Sequence, residues 1–244
     1  MNAINEFKQE VSKNIENLGR DKKLKKVAIQ FIVDSLKHKY VYNYNWLGRP
    51  IIQYPQDIVA IQELIWQIKP DLIIETGIAH GGSLILSASI LELIGGRGRV
   101  IGIDIDIRRH NRKEIERHRM FKRITLVEGS SIDNIVIKKV AKIAQNKKRI
   151  MVFLDSNHTH SHVLKELELY NSFVTKGSYL VVFDTVVEDM PRGTVKNRSW
   201  NKGNNPKTAV WEFLGNNKNF IVDKKIEDKL LITSAPNGFL KRVK

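Results

Sequence analysis

Five short apolar runs with helical patterns between them constrain the fold most. They are "DLIIET" (71–76), "RVIGID" (99–104), "ITLVEG" (124–129), "RIMVFLD" (149–155) and "SYLVVFD" (178–184). Strands this continuously apolar have both faces buried, and helices between them supply the cover. The pattern predicts an α/β protein with a Rossmann-like, doubly wound, mostly parallel sheet. The closing stretch "NFIVDKKIEDKLLITSAPNGFLKRVK" reads differently, as two strands joined by a charged turn with no helix between them. The sheet is therefore expected to end in an antiparallel hairpin. Upstream, two short helices are expected over about 3–17 and 23–38. Leu24, Val27, Ala28 and Phe31 form the apolar face of the second. A loop follows, then a helix opening near Pro55 and stopping at Pro70. The organisation predicted is an N-terminal helical extension (1–48) followed by a Rossmann-like domain (49–244).

At 244 residues the chain can bury one substantial core. It contains no cysteine, which removes disulfides, thiolate metal sites and cysteine nucleophiles. No apolar stretch approaches a membrane span, and "MNAINEFKQEVSKN" lacks the apolar core of a signal peptide. A cytoplasmic protein is expected. The net charge of +15 favours anionic partners: nucleic acid, an anionic membrane surface, or an acidic glycan or glycolipid. Its clusters, "RDKKLKK", "IRRHNRK", "NKKR" and "KRVK", are scattered, as on a well-solvated surface. The one long irregular segment is "DMPRGTVKNRSWNKGNNPK", and loops of that length in compact domains are usually functional or mobile.

The first strand breaks into the turn "ETGIAHGGS" (75–83). A P-loop needs a lysine after its last glycine, and here Ser83 follows Gly82. A dinucleotide fingerprint is G-x-G-x-x-G, whereas Gly77, Gly81 and Gly82 give G-x-x-x-G-G. A pyrophosphate would also sit badly beside the Glu75 carboxylate. S-adenosylmethionine carries a sulfonium and an ammonium, which a carboxylate at this strand end attracts. Asp104, at the tip of the second strand, is placed to accept hydrogen bonds from ribose hydroxyls, with Asp106 second to it. Ser130, after the third strand, is placed to reach the adenine end. Successive strand ends thus favour the methyl donor over NAD.

Asp155 and Asp184 end the fourth and fifth strands. Carboxyl ends of neighbouring parallel strands line one crevice, so the two carboxylates should converge there. With Thr185 they form an oxygen site suited to Mg²⁺; alternatively one aspartate caps the following turn. His158 lies three residues past Asp155. An imidazole there is placed to take the proton from a substrate hydroxyl. The triplet "HTHSH" (His158, His160, His162) also admits a zinc reading, although alternate residues share a side only on a strand. His80, within the glycine turn, reads as a loop residue near the cofactor.

Taken together, "YNWLGRPIIQYPQD", "KPDLIIETGIAHGGS", "LDSNHTHSHVLKELELYNSFVTKGSYLVVFDT", "NPKTAVWEFL" and "NGFLKR" resemble the cephalosporin hydroxylase-like group, which includes rhamnosyl O-methyltransferases. The resemblance runs from about Tyr42 to the end and implies a methyltransferase fold, S-adenosylmethionine and often a divalent metal. The layout also looks like the catechol O-methyltransferase plan. By position, Asp155, Asp184 and Thr185 match its metal ligands, and His158 stands where its base stands. Two departures are visible. Phe183 replaces the glutamate that usually precedes the second aspartate, and Thr185 replaces an asparagine. The resemblance implies O-methylation of a sugar hydroxyl on a glycan, glycolipid or glycosylated metabolite by a chain that associates with copies of itself. The alternatives are nucleic-acid methylation, suggested by the charge, and a non-catalytic cofactor-binding subunit, suggested by Phe183.

Overall fold

The computed structural model describes residues 2–244. The chain begins with α1 (Ala3–Arg20) and α2 (Lys22–Leu36). Asp21 sits between them, ending the first helix and capping the second by accepting the Leu24 amide. The first helix is longer than its apolar spacing suggested. In α2 the buried side chains are Ala28 and Ile32, while Val27 is exposed. Ile32 packs with Tyr54, Val186 and Met190, so the extension is seated on loops at one end of the sheet.

The segment expected as a plain loop holds β1 (Tyr44–Trp46) and β2 (Arg49–Ile51), a small antiparallel pair that straddles the predicted 48/49 boundary. Strands of three residues are too short to show an alternation. Then come α3 (Pro55–Ile68), β3 (Leu72–Thr76), α4 (Gly82–Ile94), β4 (Arg99–Asp104), α5 (Arg109–Arg117) and β5 (Ile124–Glu128). The chain continues through α6 (Asn134–Ala144), β6 (Ile150–Leu154), α7 (His160–Tyr170), β7 (Tyr179–Val182), α8 (Pro206–Asn216), β8 (Phe220–Val222), α9 (Lys224–Leu230) and β9 (Phe239–Arg242).

The main sheet has the order β5-β4-β3-β6-β7-β9-β8. The five predicted strands β3 to β7 are parallel, and β9 runs antiparallel to both β7 and β8. The terminal antiparallel pair is present, but it is not a hairpin. The stretch between its strands contains α9, whose "KKIEDKL" is too short and polar to display an apolar stripe.

Strand alternation divides the core. Ile73, Phe153 and Val181 face α3 and α4 with Leu64 and Leu84, whereas Ile74, Val152 and Leu180 face α6, α7 and α8 with Val140, Leu167 and Val210. Strand order reverses between β3 and β6. Ligands of open α/β sheets bind beyond the carboxyl ends of the strands at such a point, and the glycine turn and Asp155 both lie there.

Candidate active site

A cavity of about 730 Å³ opens over these strand ends. One wall is the glycine turn, where two glycines are required by close packing. Gly77 has φ +86°, and a Cβ on it would lie 2.1 Å from the Asp155 carbonyl oxygen. A Cβ on Gly82 would lie 2.3 Å from the Pro50 carbonyl oxygen. The turn is thus pressed against β2 on one side and the β6 exit on the other. The Asp155 amide donates to the Thr76 carbonyl at 2.9 Å, which ties β3 and β6 together at the reversal. Gly81, also at positive φ, precedes α4 and abuts Ile115 rather than lining the cavity.

Asp104 lines the cavity and accepts the Ile78 amide at 2.8 Å and the Asp106 amide at 3.2 Å. It fixes the turn while presenting its carboxylate at the β4 tip. Asp106 is exposed and outside the lining. His80 lines the cavity, and its carbonyl is held by the Arg49 guanidinium. Ser130 is not brought into the lining. Its carbonyl accepts the Asp133 amide, which leads the chain into α6.

Glu75 is 2% exposed and lies just behind the cavity, in a small void shared with Gln53, Asp155 and Phe183. Ser83 Oγ donates to Glu75 Oε1, while Oε2 has no partner, nor has the buried Oε1 of Gln53. Burial pushes the Glu75 carboxyl up to about 7, against the lowering effect of the Ser83 hydroxyl. Asp155 is also pushed well above the usual carboxylate range, first by burial and then by the negative charges of Asp184, Glu75, Glu166 and Asp57. Asp57 itself rises to about 6 on burial, despite accepting from Thr233 and Ser234. Sequence reading missed Asp57, which presents as an ordinary acidic residue in a first helical turn.

Asp155, His158 and Asp184 come together, each offering a ligand atom within 4.8 Å of the others. His158 Nε2 lies 3.3 Å from Asp184 Oδ2. Asp184 has φ +56°, a left-handed conformation that turns the chain sharply after β7. The two carboxylates, with open cavity beside them, fit a divalent cation, and the imidazole stands next to that position. Thr185 is corrected as a ligand. It is fully buried, its hydroxyl donates to the Pro236 carbonyl at 2.7 Å, and it does not line the cavity. Phe183 is 3% exposed and packs with Phe153 on the α3/α4 side of the sheet, so no acid stands there.

The other two histidines of "HTHSH" diverge. His160 approaches Thr208 and Glu212, and His162 lies by Ser131, Ser156 and Glu166, which excludes the three-histidine zinc site. Trp200, which no motif flagged, meets the His158 ring edge-on with centroids 5.1 Å apart.

The chain and its fold resemble those of known proteins. Residues 38–243 match the family described as Rhamnosyl O-methyltransferase/CmcI. The rhamnosyl O-methyltransferase of Mycobacterium tuberculosis (strain H37Rv) is 30% identical over 214 residues, covering 84% of this chain and 83% of the relative. That of Mycobacterium leprae is 28% identical over 216 residues, covering 84% and 88%. A solved structure of CmcI with Mg and S-adenosylmethionine superposes with a TM-score of 0.59 at 19% identity, covering 83% of this chain and 78% of that one. At that identity the likeness speaks for the methyltransferase fold. The chain belongs to the rhamnosyl O-methyltransferase/CmcI family and is an O-methyltransferase.

Proposed function

We propose that this enzyme methylates a saccharide hydroxyl from S-adenosylmethionine bound along the glycine turn, with the acceptor held against His158. One observation carries the reading. In a chain of net charge +15, Asp104, Asp155 and Asp184 crowd the lining of one cavity with Glu75 just behind it; burial pushes Glu75 and Asp155 up, and the neighbouring carboxylates, Asp184 first, push Asp155 further. A cationic ligand relieves that crowding; an anionic cofactor would worsen it. The saccharide is supported by the names of the mycobacterial relatives.

S-adenosylmethionine would supply an electrophilic methyl group, and Asp155 and Asp184 would hold a divalent cation able to stabilise negative charge on an acceptor oxygen. Asp104 accepts from the ribose hydroxyls. Glu75 and Gln53 turn their unpartnered oxygens toward the amino-acid end. His158 removes the hydroxyl proton at Nδ1 as the new bond forms, and the Asp184 carboxylate near Nε2 stabilises the resulting imidazolium. The turn, the β6 exit and the Trp200 loop hold the acceptor oxygen in line, and such positioning accounts for much of the acceleration.

Mass spectrometry of cell glycans with and without the enzyme tests the reading. One added methyl per acceptor sugar is expected, and unchanged glycans alongside methylated nucleic acid would overturn it. Asp104→Ala should weaken S-adenosylhomocysteine binding by about 1–3 kcal/mol, read by calorimetry. Unchanged affinity would remove Asp104 from the cofactor site. Excess chelator should cut turnover while leaving S-adenosylhomocysteine affinity intact, and full turnover in chelator would remove the cation from the mechanism.

A further inference from the structure

The cavity is electrically lopsided. Asp104, Asp155 and Asp184 line it, and Arg198 is the single lysine or arginine in its lining. Arg198 has no carboxylate within 4.0 Å among the described residues. Its guanidinium lies 5.9 Å from the centre of the Trp200 ring, and that ring in turn abuts His158. His158, Trp200 and Arg198 are thus successive neighbours in the cavity lining.

The loop that carries Trp200 and Arg198 is tied down. Glu188 accepts the Gly203 amide at 2.8 Å and the Asn205 side-chain amide at 2.6 Å, while Asp189 pairs with the nearly buried Lys207. Asn204 donates from its side chain to the Ser199 carbonyl at 2.8 Å, and Asn201 and Asn204 bridge immediately after Trp200. The long loop is thus clamped at its base and beside the aromatic ring.

We propose that the acceptor is an anionic saccharide, with its carboxylate or phosphate on the Arg198 guanidinium and its sugar ring against Trp200. This rests on the methyltransferase reading above. Guanidinium suits both anions because its fork of donors matches their paired oxygens. An indole gives the apolar wall that one face of a sugar ring needs. The guanidinium lies within two side-chain contacts of His158, so the anion belongs to the methylated sugar or to one near it in the chain.

The test is a glycan array carrying neutral, uronic-acid and phosphorylated saccharides, probed with enzyme saturated in S-adenosylhomocysteine. Retention of uronates or of phosphorylated sugars is expected, and which of the two is retained identifies the anion. Arg198→Gln should lower that retention at least tenfold, and Arg198→Lys less. Lys196→Gln, an exposed neighbour outside the lining, should leave it unchanged. Retention of neutral glycans as strongly, of none, or an equal loss in the Lys196 variant would overturn the proposal. Failure to bind S-adenosylhomocysteine would instead overturn the methyltransferase reading beneath it.

Discussion

His158→Ala is expected to bind cofactor like the wild type and to lose methyl transfer by about a hundred- to ten-thousand-fold, the usual contribution of general-base assistance. A neutral sugar hydroxyl attacks poorly, and His158 is the imidazole that lies both in the cavity and within 3.3 Å of Asp184. Its ring is partly exposed and abuts Trp200 at the loop, so truncation leaves the sheet intact. Single-turnover rates beside S-adenosylhomocysteine affinity separate the outcomes. Loss in rate alone supports the base. Near-normal rate in a folded variant would move the base elsewhere, and parallel loss of affinity would recast His158 as part of the cofactor site.

Glu75→Gln is expected to stabilise the cofactor-free protein at pH 8 and to weaken cofactor binding. The folded-state carboxyl titrates at about 7, above its ordinary 4.5. Between those values the native state holds the proton that the unfolded chain has lost, so stability falls as pH rises through the window. Above it the full penalty applies, roughly 2–4 kcal/mol for a shift of this size. Glutamine keeps the shape and the Ser83 contact without the charge, so thermal unfolding at pH 8 should rise by several degrees. Cofactor binding runs the other way. A cationic ligand favours the ionised carboxylate, so wild-type affinity should increase by up to tenfold per pH unit below 7 and level off above it. The glutamine variant should lose that dependence. An unaltered pH profile would show that Glu75 does not face the bound cofactor.

The fold was legible because its signal is periodic. Strands buried on both faces must be apolar throughout, and the five such runs became β3 to β7 with nearly the expected ends. Short or polar elements carry no such signal, which is why β1, β2 and α9 escaped notice. Within the site, Asp155, His158 and Asp184 were readable because position after a strand fixes where a side chain begins. Direction is another matter. Thr185 stands where a ligand was expected, yet its hydroxyl is taken by Pro236, a carbonyl 51 positions along the chain that only the folded β9 arm brings near. Trp200 and Arg198 lie in an irregular loop. Their approach to the cavity depends on clamps at Glu188 and Asp189 that no local pattern encodes.

The central claim is that the acidic cleft at the β3/β6 reversal receives S-adenosylmethionine and its demethylated product, whose shared ammonium the carboxylates attract. Calorimetric titration of the wild-type protein at pH 8 with S-adenosylhomocysteine and, separately, with NAD tests it most directly. One-to-one binding of S-adenosylhomocysteine is expected, weakened in Glu75→Gln and Asp104→Ala, with no heat from NAD. Tight NAD binding without binding of the homocysteine compound would contradict it.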